Sequence, residues 1–514
     1  MRIDVINTVP ELMKLEANWN TIYDRDPHAR VFLSWRWLSG WLSQVYGPWF
    51  ILAAKGEASD APYVGFLPLR TQAKVVDGHI RNELNMAGNF AADYTGILCD
   101  PAIEHQVIPA FARHLKGLNW AAFNLDNILV SETRLRLLLA HFPQSRFRSR
   151  NVERMLKATN TNNCICPHVR LPSDWDSYLQ TLSPNTRHNI RRLMRRIDES
   201  GGAYRLDHAT PATAERDIDG LLGLWKTKWE TSKGKTINNL VRSNRQMLMR
   251  SFESGLLFVP TLWNGEQLVG ALATMVDPRR RSMHVYMTGR DESFDGPSPG
   301  VVMHADSIRH AIANGFVEYD FMRGNEPYKY PFGVAEQTIR CMVLETRNGM
   351  NLGGQLDRRT IPGALELATE LHRAGKLAEA ERGYGQILQL DPRNPDAIHR
   401  LGQLFAASGE HNRAKALFRK LAAIRTDTHK PWQGLAQSCE ALGQYRDAAD
   451  AYREVIRLRP DLPSAFSDLA RMLVKLGRIE DVNAALVNAL GHATGEPRGN
   501  GHEGSERLSG PTLQ

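Results

Sequence analysis

Gly375, Gly409, Gly443 and Gly477 follow one another at intervals of 34 residues, and nothing else in the 514-residue sequence restricts the fold so tightly. Five positions beyond them stand Ala380, Ala414, Ala448 and Val482; nine beyond stand Tyr384, Phe418, Tyr452 and Leu486. Pro392 and Pro460 lie 68 residues apart, which is two periods. A fixed period of this length means one small structural unit used repeatedly. No single unit can bury a core, so the four units over roughly 362–492 must stack into one. Past Gly491 the run "GHATGEPRGNGHEGSERLSGPTLQ" is polar and glycine-rich, and residues 493–514 are expected to be a disordered tail.

The stretches "GKLAEAERGYGQILQLDPRN" and "GQYRDAADAYREVIRLRPDL" carry the repeat most clearly. They resemble tetratricopeptide repeats, whose unit is a helix–turn–helix. In such a unit the glycine closes the first helix, the small residue lets the two helices approach, and the aromatic fills the space between repeats. The resemblance implies an all-α solenoid that docks a protein partner.

The chain as a whole is ordinary in composition, with 42% hydrophobic and 23% charged residues, and its length leads us to expect about three domains in all. Met1-Arg2-Ile3-Asp4-Val5-Ile6 predicts no signal peptide, and no uninterrupted apolar run of eighteen residues predicts a membrane span. Cys99, Cys164, Cys166, Cys341 and Cys439 are scattered and odd in number, which favours a reducing cytoplasm over a disulfide framework. Cys164-Ile165-Cys166 has no second cysteine pair to complete a metal set, and strand alternation accounts for it. No metal and no permanently bound cofactor are expected. The net charge of +8 is concentrated: Arg187, Arg191, Arg192, Arg195 and Arg196 supply +5 within ten residues, leaving 8 − 5 = +3 elsewhere.

Before the repeats, strand-like and helix-like patterns alternate. "PYVGFLPLRTQ", "NELNMAG" and "AAFNLDNI" read as strands, and "HQVIPAFARHL" and "SETRLRLLLAHF" as helices, the latter opened by Ser131. "PSDWDSYLQTL" is predicted to start a helix with Ser173 as its cap. Helices near 212–232 and 239–253 precede two strands joined at Asn264-Gly265, a strong hairpin signal. "RSMHVYMTGRD" is another strand, "SPGVVMHADSIRHAIANG" a helix with Ser298 as cap, Pro299 at its first position and Gly315 at its stop, and "FVEYDF" is expected to close the sheet.

This order, together with "FLSWRWLSGWL", "SPNTRHNIRRLMRRIDESGG" and the ending "YDFMRGNEPYKYPFG", resembles the FemAB-like and CelD-type proteins of the N-acetyltransferase (GNAT) superfamily. The resemblance covers roughly 30–345. It implies an α/β fold of tandem acetyltransferase-like halves: a degenerate half at 1–160, a donor-binding half at 161–350, and a linker at 351–361 before the repeats. It also implies acyl or aminoacyl transfer to amines or sugars, with acyl-CoA (acetyl-CoA) as co-substrate. The usual acyl-CoA fingerprint, Q/R-x-x-G-x-G/A, is absent, and only Pro299-Gly300 stands in its place.

A phosphate-bearing donor needs free backbone N–H groups and a favourable dipole, both found at a helix N-terminus. Ser298, Pro299, Gly300 and Val301 are therefore the candidate donor-binding residues. Acyl transfer also needs a base and a partner for the oxyanion. Asp320 and Glu326 are candidates for the first role, and Tyr328, Lys329 and Arg323 for the second, unless the reaction works by positioning alone. On the helix around 187–196, Ile190, Leu193, Met194 and Ile197 share a burying face, while Arg187 and Arg191 head a row suited to an anionic substrate or merely solvated. Asp93 and Tyr94 stand where acceptor-binding residues would lie. Trp35, Trp37 and Trp41 have the spacing of core residues, with sugar stacking as the other reading.

The sequence is thus read as a cytoplasmic acyltransferase acting on an anionic small molecule or glycan precursor of the cell surface, with a partner-docking repeat domain. No DNA partner is expected. Two other readings stay open: an inactive acetyltransferase fold serving exopolysaccharide assembly, and aminoacyl transfer from charged tRNA.

Overall fold

The computed structural model describes residues 1–89, 91–157, 159–483 and 487. The chain divides into two compact units, one of Met1–Lys74 with Arg81–Thr360, the other of Val75–Ile80 with the residues from Ile361 onward.

In the first unit the alternating segments form two mixed sheets. The first runs Arg2–Ile6, Trp49–Lys55, Tyr63–Val76, His79–Met86, Ala122–Ile128, Arg340–Thr346, Phe147–Asn151. The second runs Tyr204–His208, Pro260–Asn264, Gln267–Asp277, Ser282–Arg290, Glu318–Asp320, Ile165–Arg170, Ala335–Thr338. The Asn264-Gly265 hairpin forms with Gly265 at φ +55°, a left-handed conformation that glycine adopts without a Cβ penalty. Ser282–Arg290 and Glu318–Asp320 are parallel, so a crossover is required between them, and helix Pro299–Ala313 provides it.

Three expectations are corrected. Glu318–Asp320 does not close the second sheet: it lies inside it, with Ser282–Arg290 on one side and Ile165–Arg170 on the other. Residues 340–346, placed by sequence in the second half, pair antiparallel with Ala122–Ile128 and Phe147–Asn151 in the first sheet. Sequence order carries no information about such an exchange. Asp174, not Ser173, caps helix Trp175–Thr181, because its carboxylate accepts the Ser177 N–H at 2.8 Å.

One core cluster joins the two halves and contains Trp19, Phe32, Trp35, Trp37, Trp41 and Tyr94 together with Met275, Met287 and Met322. Trp35, Trp37 and Trp41 are only 5%, 2% and 9% exposed, so packing accounts for them and no sugar ring can stack there. A second cluster fills the space under helices Pro184–Asp198 and Pro299–Ala313. The expected linker at 351–361 is tied down rather than open, since Leu356 and Thr360 are buried and the Thr360 hydroxyl donates to Asn82 Oδ1 at 2.9 Å.

In the second unit, helices Ile361–Arg373, Leu377–Leu390, Pro395–Ala407, His411–Ile424, Lys430–Ala441, Tyr445–Leu458 and Pro463–Lys475 follow in antiparallel order. Gly375, Gly409, Gly443 and Gly477 have φ of +74°, +79°, +70° and +72°, each just past the first helix of a repeat. Ala380, Ala414 and Ala448 are fully buried, and Tyr384, Phe418 and Tyr452 nearly so. Leu486 and the expected tail lie outside the described residues. Among the described residues no helix is long and apolar enough to cross a membrane. Because each repeat packs on its sequence neighbours, residues 360–492 expressed alone should give a helical spectrum and a cooperative melt. A fragment with a coil spectrum would contradict this.

Candidate active site

Ser282–Arg290 and Glu318–Asp320 pair only through Ser282, Met283 and His284. Asp320 ends its strand, while residues 285–290 continue, so the two strands part and leave a wedge. Along that edge alternate backbone N–H and C=O groups have no partner from Glu318–Asp320. The pairing with Gln267–Asp277 also slips here, since Thr274 faces Val285 but Ala273 faces Met287. Tyr286 is the extra residue of this bulge. Bulges bend a strand and re-aim a side chain, and they recur beside active sites.

Helix Pro299–Ala313 begins just past the end of the splayed strand. Ser298 is its cap residue, but its hydroxyl makes no capping hydrogen bond, and Pro299 has no N–H to satisfy. A Cβ built on Gly300 meets nothing within 4 Å. Gly300 and Val301 therefore present the positive end of a 15-residue helix to open space. The turn before it is less open, because the ring of Phe294 folds over Gly296 and fills the place where a Cβ would stand.

Beyond Asp320 the chain turns through Met322, a non-glycine residue at φ +61°. A buried left-handed methionine costs energy, and Asp320 offsets it: its carboxylate accepts the Met322 N–H at 2.7 Å. The same carboxylate accepts from the Tyr94 hydroxyl at 2.7 Å and from Gln337 Nε2 at 3.1 Å, and His284 Nδ1 lies 3.4 Å away, too poorly aligned for a hydrogen bond. Burial would raise the Asp320 pKa, but His284 and these donors together hold it below the usual carboxylate range. Burial, reinforced by the Asp320 charge, pushes the Tyr94 phenol well up. Asp320 is wholly enclosed and fully engaged, so it cannot meet a substrate proton directly.

Arg323 follows. Its Nε donates to Asp93 at 2.7 Å and its Nη1 to Asn127 Oδ1 at 3.0 Å, joining the two halves. Burial alone would lower the Arg323 pKa, and the Asp93 carboxylate more than reverses this. Tyr286 feels both charges, and burial raises its pKa. Its ring lies 6.1 Å from Phe32 of the first half. Asp93 and Arg323 are 18% and 32% exposed, so this pair, unlike Asp320, reaches solvent.

The remaining loop residues divide. Lys329 is 2% exposed, with Nζ donating to the carbonyls of Gly324 at 2.8 Å and Arg323 at 3.0 Å and pairing with Glu326 at 2.9 Å. It braces the loop from inside and has no free N–H pointing outward, which corrects its reading as an oxyanion donor. Glu326 folds back over Gly324, which sits at φ +101°. Tyr328 is half exposed and lies over the His304 ring, 5.9 Å away at 24°. Burial, with Lys329 adding to it, depresses His304 to about 3, so that ring is neutral packing.

On helix Pro184–Asp198 the burying face is as expected, but the two leading arginines are occupied. Arg187 donates to the carbonyls of Gln180 and Leu182, both at 3.2 Å, closing the end of the preceding helix. Arg191 lies 3.5 Å from Asp176. Arg187 is thus committed to the fold, which corrects its reading as an anion ligand, whereas Arg191 is half exposed and its carboxylate neighbour faces solvent. Five participants were missed in the sequence: Tyr286, His284, Met322, Asn127 and Gln337. Of these only Tyr286 left a trace, as an aromatic in the predicted strand "RSMHVYMTGRD".

Residues 184–330 match the family model described as an acetyltransferase (GNAT) domain. Residues 371–439 and 429–462 match two models described as tetratricopeptide repeats. The chain therefore carries a GNAT-type acetyltransferase domain and C-terminal tetratricopeptide repeats. No curated protein matches it. A crystal structure of MamA protein is 19% identical at a TM-score of 0.25, over 26% of this chain and 74% of that one. A MamA structure from Desulfovibrio magneticus RS-1 is 13% identical at a TM-score of 0.25, over 27% and 80%. At these scores the likeness supports no inference about function.

Proposed function

We propose that the first unit is an acyltransferase that takes acyl-CoA as donor and passes the acyl group to an amine or hydroxyl of a sugar-like acceptor. The observation that carries this reading is the wedge opening beside an unobstructed helix terminus. Phosphates of the donor would lie against Ser298, Pro299, Gly300 and Val301, where the helix dipole favours negative charge. The thioester would enter the wedge, and an unpaired N–H of residues 285–290 would receive the oxyanion. The acceptor would sit at Asp93 and Arg323 beside Tyr286, since a carboxylate, a guanidinium and an aromatic suit sugar hydroxyls and an anionic substituent. The nucleophile forms its bond to the carbonyl carbon as the C–S bond breaks, and the CoA thiolate leaves. The proton released from the nucleophile passes to Asp93 or water.

Asp320, Tyr94 and Lys329 act here as positioning residues, and rate comes from orientation more than from a dedicated base. A carbohydrate of the cell envelope is the setting in which this acceptor chemistry fits, with the repeats docking a protein of the same process. One observation favours an inactive assembly factor instead: Phe294 narrows the turn that a donor must approach. Nothing in the site favours aminoacyl-tRNA.

Acetyl-CoA titrated into the full chain should bind, and Gly300→Trp should weaken that binding at least about tenfold, roughly 1.4 kcal/mol. Its melting temperature should stay unchanged, because the added side chain enters open space. Equal affinity in a folded Gly300→Trp protein would overturn the assignment, and binding of charged tRNA alone would replace it.

A further inference from the structure

The arginines of helix Pro184–Asp198 fall into two groups. Arg187 and Arg191 are turned to the preceding helix, whereas Arg192, Arg195 and Arg196 are exposed and line a depression of about 470 Å³ with Glu199 and Tyr204. Among the described residues none of the three forms an ion pair. Arg192 donates to Asn189 Oδ1 at 3.0 Å, and the Arg196 guanidinium stands over the Tyr204 ring at 5.8 Å. Three guanidiniums against one carboxylate leave 3 − 1 = +2 in the lining. Arg195 and Arg196 sit in the last turn, where the dipole welcomes cations, but that does not supply them with a counter-charge.

The place of this depression links it to the donor turn. Tyr204 begins the edge strand of the second sheet, and its ring meets Phe294 edge-on at 6.1 Å and 84°. Phe294 is the residue folded over Gly296, in the turn that leads to Gly300. The basic depression therefore borders the same turn that would carry the donor's phosphates. An anion reaching from that turn toward Arg192, Arg195 and Arg196 would meet planar donors able to bind phosphate bidentately.

We propose that Arg192, Arg195 and Arg196 bind the phosphate monoester on the ribose of acyl-CoA, at the nucleoside end of the donor. The site rests on the reading of acyl-CoA as donor, and it adds a charge-based selection for the phosphorylated form. The shared chemistry is a phosphate monoester; a phosphorylated acceptor is the other source.

Acetyl-CoA and 3′-dephospho-acetyl-CoA, titrated into the native chain, separate these. The native protein should prefer acetyl-CoA at least about tenfold, as expected for a hydrogen-bonded charge pair. The preference should shrink as salt rises. The triple variant Arg192→Gln, Arg195→Gln, Arg196→Gln should melt like the native protein and bind both compounds equally. Equal binding of both by the native protein overturns this site while leaving the donor reading intact. A preference that survives in the triple variant also overturns it. No acetyl-CoA binding at all overturns both readings.

Discussion

Asp320→Ala is expected to cost roughly 3–5 kcal/mol of folding stability, a large part of what a domain has. The carboxylate is enclosed and serves the Tyr94 hydroxyl, the Met322 N–H and Gln337 Nε2 at once, with His284 beside it. Alanine strands all of those donors in an interior that water cannot reach. It also removes what holds Met322 at φ +61°. Asp320→Asn keeps the shape but turns one acceptor into a donor, so it should fall between. Because the folded pKa of Asp320 is lowered, its contribution is present above the unfolded value, about 3.9. It is lost as pH falls through the folded value. Native melting temperatures should therefore drop more steeply below about pH 4 than those of Asp320→Asn. An alanine variant that melts within about 1 kcal/mol of native would show that the network is not needed to hold the halves together.

Lys329→Ala should cost roughly 2–4 kcal/mol, by leaving the carbonyls of Arg323 and Gly324 without their donor. Glu326 loses its partner too, and the oxygen that faces Lys329, Oε2, is itself enclosed. Lys329→Met refills the volume without restoring the hydrogen bonds and should recover only a minor part. Thermal or urea denaturation of the three proteins measures this. The sequence alone offered Lys329 as an oxyanion donor, a role whose loss lowers turnover and leaves melting unchanged. If Lys329→Ala melts like the native protein and only turnover falls, that earlier reading holds and the strut is incidental.

What the sequence disclosed follows from how local each signal is. The 34-residue period rests on neighbours in the chain, and its glycines do occupy the left-handed positions that their spacing implied. The Asn264-Gly265 hairpin and the helix opened by Pro299 are equally local. The return of Arg340–Thr346 to the first sheet is not, since nothing in a strand's own pattern says which sheet will take it. Asp93 and Arg323 were singled out separately, yet their 2.7 Å pairing spans 230 positions and could not be read. Asn127, Gln337 and His284 belong to the site only through Arg323 and Asp320. Lys329 was misjudged because a lysine among prolines and tyrosines looks exposed in sequence, whereas three inward carbonyls claim it.

The central claim is that donor binding occurs at the wedge and the terminus of helix Pro299–Ala313. Amide hydrogen exchange of the full chain, with and without acetyl-CoA, tests it most directly. The expected result is slowed exchange confined to peptides covering residues 285–301 and the basic helix that ends at Asp198. Protection elsewhere in the chain, or none at acetyl-CoA concentrations that saturate binding, would contradict it.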